Sequence, residues 1–194
     1  MELVFATNNQ HKVQEIQALV GDSINLLGLK DISHEGDLPE EQDTLEGNAY
    51  QKAKYVFDHY GFNCFADDTG LEVEELNGLP GVYSARYAGE SKNSLNNINK
   101  LLKKIKYKQN RRARFRTVVS LIINGTEKRF EGVVNGEIID DLRGDKGFGY
   151  DPVFKPDGYD ITFAEMPLDE KNMISHRSKA IKKLTNYLLR NDTL

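Results

Sequence analysis

Phe62-Asn63-Cys64-Phe65-Ala66-Asp67-Asp68-Thr69-Gly70 decides how this chain is read: an apolar run ends in two adjacent carboxylates, a hydroxyl and a glycine. The apolar part, 62–66, reads as a buried strand. The acidic pair marks the point where that strand surfaces, because neighbouring aspartates repel each other and lose hydration if covered. Two uses of such a tip are open at this point. Asp and Gly are turn formers, so Asp-Asp-Thr-Gly can simply join two strands. The pair can also receive a hard cation such as Mg²⁺, which takes oxygen ligands and keeps waters and a substrate phosphate.

Upstream, Leu3-Val4-Phe5-Ala6 is a strand-like apolar run that stops at the polar hexapeptide Thr7-Asn8-Asn9-Gln10-His11-Lys12. Val13, Ile16, Ala18, Leu19 and Val20 then recur at helical spacing up to Gly21. The order is strand, polar loop, helix, with a second strand at Ile24-Asn25-Leu26-Leu27. A polar loop between a strand end and a helix start is suited to anions, because free N–H groups and the helix dipole point there. It is equally an ordinary helix cap with a solvent-facing lysine. No Walker-type G-x-x-x-x-G-K-[ST] sequence occurs. An acidic stretch containing Glu40 and Glu41 precedes a helix capped by Asp43 or Thr44, with Leu45, Ala49, Ala53, Val56, Phe57 and Tyr60 facing inward and Gly61 ending it.

Downstream, Leu71 to Leu76 alternates apolar and acidic residues as a half-wet strand. Leu95, Ile98, Leu101, Leu102 and Ile105 mark an amphipathic helix. The spacing predicts a strand over 114–123, and Asn124-Gly125 and Asn135-Gly136 both read as hairpin turns. The sheet is therefore mixed and the class α/β. Gly144 to Pro152 combines glycines, two aromatics and a carboxylate, types suited to close backbone approach and stacking on a base, or to a surface loop with Phe148 tucked inward. Lys171, His176 and Arg177 gather near the start of the last helix, where positive charge opposes the dipole and an anionic partner would relieve it.

At 194 residues, 39% of them hydrophobic, the chain suffices for one domain over 1–194 that buries roughly 70% of its unfolded surface. A net charge of −4 gives no global case for nucleic acid, although 91–126 carries ten Lys and Arg and no Asp or Glu. The single cysteine, Cys64, fits a reducing compartment and core packing. No apolar run approaches the ~20 residues of a membrane span and Met1-Glu2-Leu3 does not open a signal peptide, so a cytoplasmic protein is expected.

Thr7 to Lys12, Ala66 to Gly70, Gly78 to Tyr87, Gly147 to Pro152 and Ser175-His176-Arg177, in that order, resemble the motifs of the inosine triphosphate pyrophosphatase family. The resemblance implies hydrolysis of deaminated purine nucleoside triphosphates (ITP, dITP, XTP) to monophosphate and pyrophosphate with Mg²⁺. It also implies an elongated mixed-sheet fold with two lobes around a central cleft, and a homodimer. Carried over by position, Asp68 is the catalytic carboxylate and, with Glu41, the metal site. Thr7, Asn8, Asn9, Gln10, His11 and Lys12 form a phosphate loop, and Thr69 contacts substrate. Phe148 stacks on the purine beside Gly149, Tyr150 and Asp151. Lys171 matches a phosphate-binding lysine, and His176 and Arg177 match residues that read the 6-oxo edge. The chain departs from the pattern at Asn8 and His11, where family members often carry Gly.

Such chemistry is mostly positioning and electrostatics. A buried donor satisfied by a 6-oxo group is left unpaired by a 6-amino group, which costs ~1–3 kcal/mol and rejects ATP. The alternatives are a non-catalytic purine nucleotide-binding protein, a nucleic-acid module using 91–126, and a phosphate-ester hydrolase that releases orthophosphate.

Overall fold

A computed structural model describes residues 2–20 and 24–190. Gly21, read as the end of the first helix, and the side chains of Ala18, Leu19 and Val20 lie outside what is described. The elements run β1 (Glu2–Phe5), α1 (Gln10–Val20), β2 (Asn25–Leu27), α2 (Leu45–Tyr60), β3 (Cys64–Val73), β4 (Pro80–Gly81), α3 (Ser94–Ile105), β5 (Arg112–Ile123), β6 (Thr126–Ile138), β7 (Phe154–Pro156), α4 (Leu168–Ile174) and α5 (His176–Arg190). The sheet is mixed, ordered β2-β1-β3-β5-β6-β7 with β4 paired to β3. β1 is parallel to β2 and β3, whereas β3–β4 and β6–β7 are antiparallel.

Two compact units share this chain. The first comprises Met1–Asp68, Thr117–Gly132 and Arg177–Leu194; the second comprises Thr69–Arg116 and Val133–His176. In the first, the period of two along each strand sends side chains alternately to opposite faces and so builds two cores. Leu3 and Phe5 of β1 and Phe65 of β3 pack with Ile16 of α1 and Ala180, Ile181 and Leu184 of α5. Phe5 and Phe65 stack with centroids 4.6 Å apart. Val4, Ala6, Cys64 and Ala66 point the other way and meet Ala53 and Val56 of α2. The alanines at 49 and 53 are fully buried and let α2 lie close to the sheet. The second unit has its own core around Leu71, Leu101, Ile105, Phe115, Phe154 and Phe163.

Several local expectations hold at the atomic level. Thr44 caps α2 by accepting from the Gly47 N–H, and Gly61, at φ +73, closes it in the left-handed conformation. Asn124 and Gly125, at φ +48 and +80, make the hairpin between β5 and β6. Others are overturned. Asp67-Asp68-Thr69-Gly70 is neither a turn nor a strand tip, because β3 runs straight through it. A Cβ on Gly70 would come within 2.6 Å of the Gly81 carbonyl oxygen, so this glycine serves the close β3–β4 approach rather than a turn. Asn135-Gly136 is likewise inside β6, where a Cβ on Gly136 would meet the Lys155 carbonyl oxygen at 2.3 Å. The 71–76 strand ends at Val73 and passes into a 3₁₀ turn over Glu74–Leu76. Leu95, expected on the inner face of α3, is 53% exposed. Among the described residues no helix is long and apolar enough to cross a membrane.

Candidate active site

The alternation that builds the first unit's cores also separates its two aspartates. Asp67 shares the face of Phe65, toward α1 and α5; Asp68 shares the face of Cys64 and Ala66, toward α2. Their partners follow. Lys12 of α1 donates from Nζ to Asp67 Oδ1 at 2.9 Å, and Arg177 of α5 donates from Nε to Asp67 Oδ2 at 3.3 Å. Asp68 Oδ2 accepts from Asn48 Nδ2 of α2 at 3.2 Å, and Lys52 Nζ, one helical turn on, lies 3.9 Å from Asp68 Oδ1. Lys52 also donates to the Asp67 carbonyl at 2.9 Å and to Glu40 Oε1 at 2.6 Å.

Burial makes these neighbours electrostatically different. The Asp67 side chain is fully covered, which alone would raise its pKa; Lys12, Arg177 and Lys52 together outweigh that and hold it well below the carboxylate range. Asp68 remains 13% exposed, and burial pushes its pKa above the ordinary value against the opposing pull of Lys52 and Lys12. Lys52 is disfavoured by burial, yet Asp68, Glu40 and Asp67 more than compensate and stabilise its ammonium. Lys12 has its pKa lowered, because burial exceeds the help from Asp67.

In the 7–12 loop, Asn9 Oδ1 accepts from the His11 and Lys12 N–H groups at 3.0 and 3.3 Å and so caps α1. Thr7 Oγ1 accepts from the Asn9 N–H at 3.2 Å. Gln10 and His11 are exposed on the first turn of α1, while the Asn8 amide donates to the Gly36 carbonyl. Glu41, read as the second metal carboxylate, is exposed and bonded to Gln51 at 3.2 Å; Glu40 is the residue that joins Lys52 and Asp68.

Thr69, half-buried, opens the second unit, and that unit holds the expected base residues. Asp151 Oδ2 accepts from the Phe148 N–H and from Lys171 Nζ, both at 2.9 Å. Lys171 Nζ sits 5.3 Å from the Phe148 ring centroid and 5.6 Å from that of Phe163. The structure thus gives Lys171 a buried carboxylate partner. Gly147 is at φ +72, and a Cβ there would lie 2.1 Å from Asp151 Oδ2; Gly149 is at φ +64. Tyr150 donates from its buried hydroxyl to the Ser84 carbonyl at 3.0 Å, and burial raises its pKa. His176 is buried with its ring stacked 4.7 Å from that of Phe115. Arg177 belongs with Asp67 in the first unit.

Asn48 and Lys52 go unnoticed in the sequence, and of the acidic pair only Asp68 receives a role there. The signal for the first two is present: four apart, they border the inward Ala49 and Ala53 on α2. The basic 91–126 stretch finds partners in its own unit, with Arg112 on Asp157 at 2.7 Å, Arg114 on Glu72 at 2.6 Å, Lys108 on Glu75 at 3.1 Å and Arg111 on Asp140.

An α/β fold with buried lysines and an arginine around a strand-borne aspartate pair is the equipment of a protein that handles phosphates. A family model described as the Ham1 family matches residues 3–187. The chain is 54% identical over 188 residues to a dITP/XTP pyrophosphatase of Flavobacterium johnsoniae, covering 97% of this chain and 98% of that one. Its fold is similar to the Staphylococcus aureus Ham1 protein (TM-score 0.89, 40% identity, 98% and 99% of the two chains) and to a HAM1 protein from Coxiella burnetii (0.90, 36%, 98% and 99%). The chain belongs to the Ham1 family.

Proposed function

We infer that this chain hydrolyses deaminated purine nucleoside triphosphates of the dITP/XTP class to the monophosphate and pyrophosphate. Relatives named dITP/XTP pyrophosphatase at 54%, 52% and 53% identity support the substrate class. The structural observation that carries the chemistry is the split of the aspartate pair. Asp67 is buried with Lys12 on one carboxylate oxygen and Arg177 on the other. Asp68 keeps partial exposure and a raised pKa, which suits a carboxylate that takes a proton from water.

A divalent cation fits the donor set. Glu40 and Asp68 already share one cation, the Lys52 ammonium, and two carboxylates are what Mg²⁺ uses when phosphates and waters complete its shell. No larger group of His, Cys, Asp or Glu that could hold a metal occurs among the described residues. In this reading Asp68 and Glu40 hold Mg²⁺, which when bound offsets the triphosphate charge. Lys12, capped into place by Asn9, supplies positive charge toward the phosphates. Phe148 and its glycine-flanked loop offer a ring face to the purine, and His176 a donor to its 6-oxo group. A homodimer and a cytoplasmic setting belong to the same reading, supported by the family resemblance and the single buried thiol.

A panel of triphosphates assayed with Mg²⁺ or with chelator tests this. ITP, dITP and XTP are expected to give pyrophosphate well above ATP and GTP; orthophosphate as product, or ATP equal to ITP, would refute it.

A further inference from the structure

Asn8 stands one residue before the Asn9 cap, and its side chain leaves the 7–12 loop. Nδ2 donates to the Gly36 carbonyl at 2.7 Å and lies 3.4 Å from Asp37 Oδ1. Both neighbours are acceptors, so the amide hydrogens set its orientation. Gly36, at φ +89, presents that carbonyl from the stretch between β2 and α2. On one side, the stretch is folded on itself through Ser33 N–H to Lys30 O and His34 N–H to Leu29 O, both 3.0 Å, and held by His34 Nδ1 against the Tyr60 hydroxyl at 3.0 Å. On the other side comes Glu40, whose carboxylate receives Lys52 beside Asp68. Asn8 supplies a tether between these two points.

We propose that Asn8 is a positioning residue: its amide fastens the 36–40 segment to the 7–12 loop and so holds Glu40 where it meets Lys52 and Asp68. This differs from the phosphate contact expected of the position by resemblance, and a glycine there could not make it. The effect on metal binding rests on the reading of Glu40 and Asp68 given above; the tether itself does not.

Asn8→Ala and Asn8→Asp separate the possibilities. Asn8 is exposed, so neither change removes core packing. Asp has the shape of Asn but donates nothing and brings a charge beside Asp37, so it should act more strongly than Ala. Amide hydrogen exchange without nucleotide or metal should show residues 28–40 exchanging about tenfold faster in Asn8→Ala, and faster still in Asn8→Asp, with β3 unchanged. With ITP, the Mg²⁺ concentration for half-maximal rate should rise about fivefold in Asn8→Ala. Unchanged exchange in both variants would overturn the tether. Faster exchange with an unchanged Mg²⁺ requirement would overturn the positioning of Glu40. An inactive wild type would refute the proposed function and leave the exchange result to decide the tether.

Discussion

Arg177 Nε lies 3.3 Å from Asp67 Oδ2, and the two side chains, 110 residues apart in sequence, are 2% and 0% exposed. An ion pair so covered is held by its surroundings, here by Lys12 on the other carboxylate oxygen. The next residue along β3, Asp68, has a different environment: it keeps 13% exposure and meets Asn48 and Lys52 instead.

Asp67→Asn should destabilise the protein by about 3–5 kcal/mol in a denaturant titration at pH 7, since it strands buried cations. The folded pKa of Asp67 is depressed, so its contribution is fully present above the unfolded value of about 3.9 and fades as pH falls below it. The gap between wild type and variant should therefore hold from pH 7 to about pH 5 and narrow toward pH 3. A constant gap would refute the electrostatic account.

Asp68→Asn should lose activity by about 10²- to 10⁴-fold while melting at or above the wild-type temperature. Burial raises the folded pKa of Asp68, so its ionised form costs folding free energy at neutral pH, and the amide removes that cost while keeping the shape. A melting temperature several degrees lower in the variant would contradict this.

Cys64 should be inert in the folded protein. Burial pushes its thiol pKa up to about 12, and Sγ donates to the Ala53 carbonyl at 3.1 Å. A thiol reagent at pH 8 should modify no cysteine natively and one per chain after denaturation; rapid native labelling would show that α2 does not stay on the sheet.

Gly147→Ala should weaken purine binding more than it slows turnover. The added Cβ meets Asp151 Oδ2 at 2.1 Å, and φ +72 costs any other residue ~1–3 kcal/mol, so Phe148 and Lys171 shift together. A KM for ITP raised by about tenfold or more, with kcat changed less, is expected. An unchanged KM would mean that Phe148 does not meet the base.

Much of what depends on neighbours in sequence was legible in the sequence, although Asn135-Gly136, a hairpin signal by type, runs inside β6. The Thr44 cap and Gly61 close α2 where read, Asn124-Gly125 turns the hairpin, and the ordered motifs carried the family. These follow from side-chain bonds within a few residues, or from a backbone conformation that Gly and Asn tolerate. What only the tertiary structure decided is which distant groups meet. An Asp-Asp dipeptide is the same whether it ends a strand or runs through one. Only the pairing of β3 with β1 and the helices on its two faces send Asp67 to Lys12 and Arg177, and Asp68 to Asn48 and Lys52. Glu40 and Glu41 are likewise indistinguishable in an acidic run until the path of the chain turns one to Lys52 and the other to Gln51. The physical reason is that strand alternation fixes which side a residue takes, while the helix that waits there is fixed by packing across the whole chain.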